Sequence, residues 1–394
     1  MKSVKTVCGM WQTEIFRQWI WVEGRRFTVA DRAELCRLAA CGPEGALRDV
    51  YAFLAEWFSD APDVEVQTSG STGVPKRMRV EKRRMVCSAC RTCGFLSLKE
   101  GDTALLCMNM KYIGAKMMVV RALVAGLCLM VRPASGSPLS DVEERVDFLS
   151  VVPMQLYRCV RDAGLRERLS RVRCVIVGGG AVDESLCQAL QELPCAVYST
   201  YGMTETLSHV ALRRLNGPDA SEHYVPLEGI RLSLSGSGTL VVDAPDICAG
   251  RVVTNDVVRL YADGTFTVLG RTDNVVNSGG IKIQIEEDER ILRGCIPVPF
   301  ALTSVPDACL GEALVLLVQD SLTLSDEDLR SCMSCLLPRY HLPRHIVRVL
   351  RIPETENGKV DRRECRELVV GILHGRHHSS GTEGCERGRR CVGQ

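Results

Sequence analysis

Five short apolar runs, near residues 103–107, 127–131, 148–152, 172–177 and 196–199, alternate with stretches of helical periodicity near 82–98, 114–124, from Pro153 and from Asp183. Each run has strand length, and proline at position 153 suits the first turn of a helix. Parallel strands need a crossover of a dozen or more residues, normally a helix. This rhythm therefore predicts an α/β fold with a large doubly wound domain. Ligands in such folds sit at the carboxyl ends of the strands. In this chain those ends are where the glycine- and hydroxyl-rich turns fall.

The first such turn follows an alternating strand signal at Val64 and Val66. It comprises Thr68, Ser69, Gly70, Ser71, Thr72, Gly73 and, after Val74 and Pro75, Lys76. Glycines let several backbone N–H groups face one way, hydroxyls add donors and the lysine adds a full charge, which is a phosphate-binding nest. The spacing is not that of a Walker loop, because neither serine nor threonine follows the lysine. A second turn, Gly178, Gly179, Gly180 and Ala181, follows a buried strand but lacks the third spaced glycine of a dinucleotide fingerprint. Its glycines could still admit a flat base.

A third turn carries Tyr201, Gly202, Thr204, Glu205 and Thr206. Glu205 there suits a hard cation such as Mg²⁺. The competing reading makes Thr204 or Thr206 the cap of a helix over 208–212. Asp256, with Arg271 and Asp273 further on, suits a ribose diol or a surface ion pair. Lys359 lies on a polar turn within 353–361.

Composition excludes several classes. The 394 residues carry a net charge of +1, so no global field attracts nucleic acid or an anionic membrane. The longest apolar stretch, 117–131, contains Arg121 and is too short to span a bilayer. The first residues lack the apolar block of a leader, so a cytoplasmic enzyme is expected, as a monomer or homo-oligomer. Twenty cysteines show no disulfide framework. Cys87, Cys90 and Cys93 recur beside Met85, Val86, Ala89 and Leu96, which reads as the buried side of a helix rather than a cluster site.

Ahead of the phosphate-type loop, helical patterns at 32–40 and 47–58 join a short strand near 20–22. Short strands with Gly-rich turns after about residue 225 predict a small β-rich lobe. The expected domains are 1–272, an α+β domain over 273–373 and a disordered tail over 374–394.

In order and type, these motifs resemble the adenylate-forming superfamily of acyl- and aryl-CoA synthetases, peptide-synthetase adenylation domains and luciferases. The likeness runs from about 64 to 364 and rests on the strings TSGSTGVPK, YGMTE, GRTDNVVNSGG and ENGK. It implies ATP, Mg²⁺ and CoA as reagents. By resemblance, residues 68–73 and Lys76 clamp the β,γ-phosphates, while Gly178 to Ala181 with Tyr201 and Gly202 enclose adenine. Thr204 would reach the α-phosphate, Glu205 would hold Mg²⁺, and Asp256 and Arg271 would hold the ribose. Lys359 matches the catalytic lysine of a mobile C-terminal domain that turns about Asp273, and segment 278–282 the face offered to the pantetheine arm. The catalytic set is then Lys359, Thr204, Glu205 and Lys76.

Two departures stand out: Arg77 replaces the usual glycine after the lysine, and Asn255 replaces the glycine before Asp256. The 67 residues ahead of the loop also imply a reduced N-terminal subdomain. Within the superfamily, the run 201–213 and the helix from Tyr112 look most like the ligases that activate o-succinylbenzoate for menaquinone synthesis. Such an acid has an aromatic ring and a second carboxylate needing an anchor, for which Ser208, His209, Arg213 and Lys116 are the candidates. The alternatives are another aryl- or acyl-CoA ligase, a carrier-protein-dependent adenylating enzyme and a non-catalytic nucleotide-binding regulator.

Overall fold

The structure, a computed structural model, describes residues 19–67, 77–180, 182–355 and 360–379. The loop 68–76, Ala181 and Lys359 lie outside the described residues. In chain order the first part runs β1 (Trp19–Val22), β2 (Arg25–Thr28), α1 (Arg32–Cys41), α2 (Ala46–Trp57), β3 (Asp63–Gln67), β4 (Arg77–Glu81) and α3 (Lys82–Phe95). There follow β5 (Thr103–Leu106), α4 (Ile113–Ala125), β6 (Cys128–Val131), β7 (Phe148–Val151), α5 (Pro153–Arg161), α6 (Ala163–Ser170) and β8 (Cys174–Val177). α7 (Glu184–Leu190), β9 (Ala196–Gly202), β10 (His209–Arg214) and β11 (Val225–Pro226) complete it.

Nine of these strands form one sheet in the order β11-β10-β9-β8-β7-β5-β6-β1-β2. The interior from β1 to β9 is parallel, and the edge strands β2, β10 and β11 run antiparallel to their neighbours. The chain steps outward from β5 to β6, then returns to the other side of β5 for β7, β8 and β9. Right-handed crossovers then place α4 on one face and α5, α6 and α7 on the other. This is the expected doubly wound sheet, with its switch point between β5 and β7. Leu105, Leu149, Val151, Val175 and Val177 pack against Leu156, Leu169, Leu186 and Leu190 in one core.

α4 is buried nearly all round, from Ala115 through Val124, and ends on Gly126 in the left-handed conformation. Cys87, Cys90 and Cys93 are buried in α3, as their spacing predicts. Burial pushes the Cys93 thiol up to about 12, so it stays protonated and packs as a small apolar side chain.

One alternative reading fails: no helix spans 208–212. The chain turns at Leu207, a non-glycine residue with φ 61°, and returns as β10, whose Val210, Ala211 and Leu212 are buried. Tertiary burial of these residues in a sheet overrides the capping signal of the two threonines.

A small sheet follows, in the order β12 (Arg231–Leu234), β13 (Thr239–Asp243), β14 (Val252–Leu260) and β15 (Phe266–Arg271). Contacts divide the chain into two compact units: 1–254 with 259–267, and 255–258 with 268–394.

The second unit continues with β16 (Val275–Ser278), β17 (Ile281–Gln284), α8 (Ile285–Leu292), β18 (Phe300–Asp307), β19 (Gly311–Gln319), α9 (Asp326–Leu336), β20 (His345–Val349) and α10 (Arg362–Ser379). Its sheet runs β17-β16-β19-β18, with β20 also paired to β19. Alternate residues of β19 serve opposite cores, Leu314, Leu316 and Val318 facing α8 and α9, and Ala313, Val315 and Leu317 facing α10. That double burial is why β19 reads as an unbroken apolar run. The helix from Arg362 continues through 374–379, where a tail was expected to start. Extending a formed helix adds a hydrogen bond for each residue fixed. No helix among the described residues is long and apolar enough to cross a membrane.

Candidate active site

The carboxyl ends of β8 and β9 lie side by side, because these strands are parallel neighbours. Gly179, after β8, has φ +80°, a conformation that costs glycine little. Gly202, at the end of β9, pairs with His209 across the antiparallel start of β10. A Cβ on Gly202 would lie 2.4 Å from the Ser208 carbonyl oxygen and 2.5 Å from the His209 Cα. These are backbone atoms, so the strands would have to part. Gly202→Ala is expected to lower stability by about 2–3 kcal/mol, as overpacking a tight contact does. A denaturation midpoint unchanged from the parent would contradict this.

The turn that Gly202 permits delivers Ser208 and His209 to a buried polar cluster. Arg121 of α4 is 1% exposed, and its Nη2 donates to Ser208 Oγ at 2.5 Å. His209 is 5% exposed; its Nε2 lies 2.9 Å from Thr92 Oγ1 on α3, and its Nδ1 lies 3.4 Å from Ser208 Oγ. The Nε of Arg121 is buried without a hydrogen-bond partner, and among the described residues no carboxylate pairs with this guanidinium. Burial pulls Arg121 down to about 10, which still leaves it a cation at neutral pH. An uncompensated buried charge costs several kcal/mol, so this group suits an incoming anion.

Neither Arg121 nor Thr92 lies in a motif that marks a site residue. Arg121 does interrupt the apolar stretch 117–131, and an isolated charge on an all-round apolar helix is the signal that finds it.

Burial and the Arg121 charge hold the His209 imidazole well below its usual value, so it is neutral. A depressed folded-state value means that the unfolded chain binds the proton first. Stability from this group is complete above about pH 6.5 and is lost on acidification below it, by at most about 1.4 kcal/mol per pH unit. His209→Gln should flatten the difference between unfolding free energies at pH 6.5 and pH 5. Equal slopes in the two proteins would refute this assignment.

The other sequence-predicted residues are distributed as follows. Lys116 Nζ donates to the Glu65 carbonyl at 2.6 Å and lies 5.6 Å from the Phe53 ring centroid, so it braces α4 against β3. Arg213 sits with Cζ 5.4 Å from the Tyr224 ring centroid, and its buried Nε has no partner. Of the four acid-anchor candidates, Ser208 and His209 are brought together with Arg121, whereas the described contacts of Lys116 and Arg213 lie elsewhere. Tyr201 packs edge-on to Phe266 at 5.0 Å, beside Tyr224. Thr204 and Glu205 lie on a short 3-10 turn in which Thr206 Oγ1 accepts from the Met203 N–H at 3.0 Å. Glu205 is exposed.

In the second unit, Arg271 joins Asp256 through Nη1 at 3.0 Å and Asp273 through Nη2 at 2.9 Å. Asn255, where glycine is usual, donates to both Asp273 oxygens at 3.2 Å. Arg362 forks onto the buried Glu289, tying α10 to α8. Glu354 bridges Val360, and the Asp361 N–H donates to the Pro353 carbonyl at 2.9 Å, so the described residues on either side of 356–359 are tied together.

The AMP-binding enzyme family matches residues 66–246. An acyl-CoA synthetase (AMP-forming)/AMP-acid ligase II-like protein from Dyadobacter fermentans is 34% identical, with 82% of this chain and 94% of that one covered at a TM-score of 0.58. The chain belongs to this family of AMP-binding enzymes, the AMP-forming acyl-CoA ligases. Curated relatives point more narrowly. The 2-succinylbenzoate–CoA ligase of Bacillus cereus is 25% identical over 334 residues, 77% of this chain and 69% of its own length. The ligase of the same name from Geobacillus kaustophilus is 26% identical over 387 residues, 88% of this chain and 79% of its own. The O-succinylbenzoate coenzyme A synthetase of Bacillus subtilis, solved with ATP and magnesium, shares the fold at a TM-score of 0.72, is 18% identical, and covers 91% of this chain and 98% of that one.

Proposed function

We propose that the protein activates o-succinylbenzoate as its acyl-adenylate and passes the acyl group to CoA, releasing pyrophosphate and AMP. The observation that carries this reading is Arg121, a buried cation with a free N–H beside Ser208. An aromatic dicarboxylic acid activated through one carboxylate still bears the other, and a buried guanidinium is its natural partner. A fatty acid would leave that charge unpaired. The names of the curated relatives support the same acid.

In the first step a carboxylate oxygen bonds to the α-phosphorus of ATP and the bond to pyrophosphate breaks. Both reactants are anionic, so the residues mainly position atoms and offset charge. Residues 68–73 and Lys76 would cradle the β,γ-phosphates, and Thr204 would donate to the α-phosphate. Gly178 to Ala181, Tyr201 and Gly202 would flank the adenine. Asp256 and Arg271 would bind the ribose hydroxyls. Glu205 fits a magnesium site, since it is an exposed oxygen donor with no ion pair among the described residues. When bound there, Mg²⁺ supplies positive charge against the phosphates. Lys359 would offset charge at the reacting centre in the first step and withdraw, about a hinge at Asp273, before the CoA thiol displaces AMP.

Purified protein with ATP, Mg²⁺, CoA and a panel of acids, read by mass spectrometry, tests this. The expected product is o-succinylbenzoyl-CoA, with Lys359→Ala lowering its rate about 10²–10³-fold, as loss of one preorganised charge does. Thioester from other acids alone would overturn the choice of acid. Pyrophosphate without any CoA product would favour transfer to a carrier protein.

A further inference from the structure

We infer that His209 is a positioning residue that orders a four-residue hydrogen-bond relay and thereby makes Arg121, rather than Ser208, the donor offered to the acid. The relay crosses three elements of the first unit. Thr92 Oγ1 lies 3.4 Å from the Ser88 carbonyl, one turn earlier on α3, and donates to it as helical threonines do. Its lone pair then accepts from His209 Nε2–H at 2.9 Å. That leaves His209 Nδ1 as an acceptor, facing Ser208 Oγ at 3.4 Å. Ser208 in turn accepts from Arg121 Nη2 at 2.5 Å.

The opposite direction is electrostatically poorer. It would turn an Nδ1–H toward the side on which the Arg121 cation lies and take the Thr92 proton from the Ser88 carbonyl. With the Nε2–H tautomer, a lone pair faces the cation instead. The strained turn at Leu207, φ 61°, is what brings Ser208 and His209 to Arg121 in succession.

The consequence is a rule of selection. The Ser208 proton is committed to His209, so of the Arg121–Ser208 pair it is Arg121 that presents its charge-bearing N–H groups to an incoming group. The site therefore favours a carboxylate over a neutral isostere such as a methyl ester or carboxamide. Only the identity of that acid rests on the function proposed above.

Two readouts test the relay. Nitrogen-15 NMR of histidine-labelled protein, with His209 assigned through its loss in His209→Gln, should show a neutral Nε2–H tautomer at pH 7. An Nδ1–H tautomer or an imidazolium would overturn the inference, whatever the substrate. In kinetics, His209→Gln, whose amide can donate and accept in place of the ring, should keep discrimination between the dicarboxylic acid and its distal methyl ester within about threefold of the parent. His209→Met should reduce that discrimination about tenfold, through KM rather than kcat. Equal behaviour of the two variants would also overturn it. If the parent makes no thioester from o-succinylbenzoate, the proposed acid fails, and the tautomer alone still decides the relay.

Discussion

Arg121→Met should make the protein more stable and nearly inactive toward the proposed dicarboxylic acid. Arg121 is 1% exposed, lies on a helix whose other buried residues are apolar, and leaves one N–H without a partner. Replacing a buried charge by an apolar side chain of similar length is often stabilising, by about 1–4 kcal/mol. In a unit of this size each kcal/mol moves the melting temperature by about 2–4 °C. Function should move the other way. Removing the partner of a buried carboxylate costs about 2–5 kcal/mol, or roughly 30- to several-thousand-fold in kcat/KM. The effect should be far smaller for a benzoate-type acid with no second carboxylate. Differential scanning fluorimetry beside steady-state kinetics with both acids decides the matter. A variant that is more stable and fully active toward the dicarboxylic acid would remove the anchor and, with it, the main support for the proposed substrate.

Glu205→Gln should show the reverse balance, a large catalytic loss at unchanged stability. The side chain is exposed on the turn after β9 and has no ion pair among the described residues. Substitutions at such surface positions usually change stability by less than about 0.5 kcal/mol. If Glu205 is the carboxylate that holds Mg²⁺, pyrophosphate release should fall about 10²–10³-fold. The Mg²⁺ concentration needed for half-maximal rate should rise as well. A coupled pyrophosphate assay across a magnesium titration tests both effects. A loss below about threefold would assign Glu205 to the surface.

These two side chains differ in how plainly the sequence announces them. Glu205 stands between two threonines at a strand end, and that local string is enough to mark it. The strand–helix alternation is equally legible, because it reflects short-range periodicity and the fixed geometry of parallel crossovers. So is the burial of Cys87, Cys90 and Cys93, which follows from helical spacing alone. The strand His209–Arg214 is not so readable. Thr204 and Thr206 give a genuine capping signal, and only the packing of Val210, Ala211 and Leu212 in the sheet decides against it.

The sequence by itself determined the doubly wound fold and the family's motifs, since each depends on residues close together in the chain. The tertiary structure decided which side chains meet. Arg121 and Ser208 are 87 positions apart, and Thr92 and His209 are 117 apart. Their encounter depends on the sheet order, on the turn at Leu207 and on the close approach that Gly202 allows. It also separates Ser208 and His209 from Lys116 and Arg213, which the family resemblance groups together as anchor candidates. The physical reason is that a charge's role depends on its burial and its partners, and both are settled only when distant segments pack.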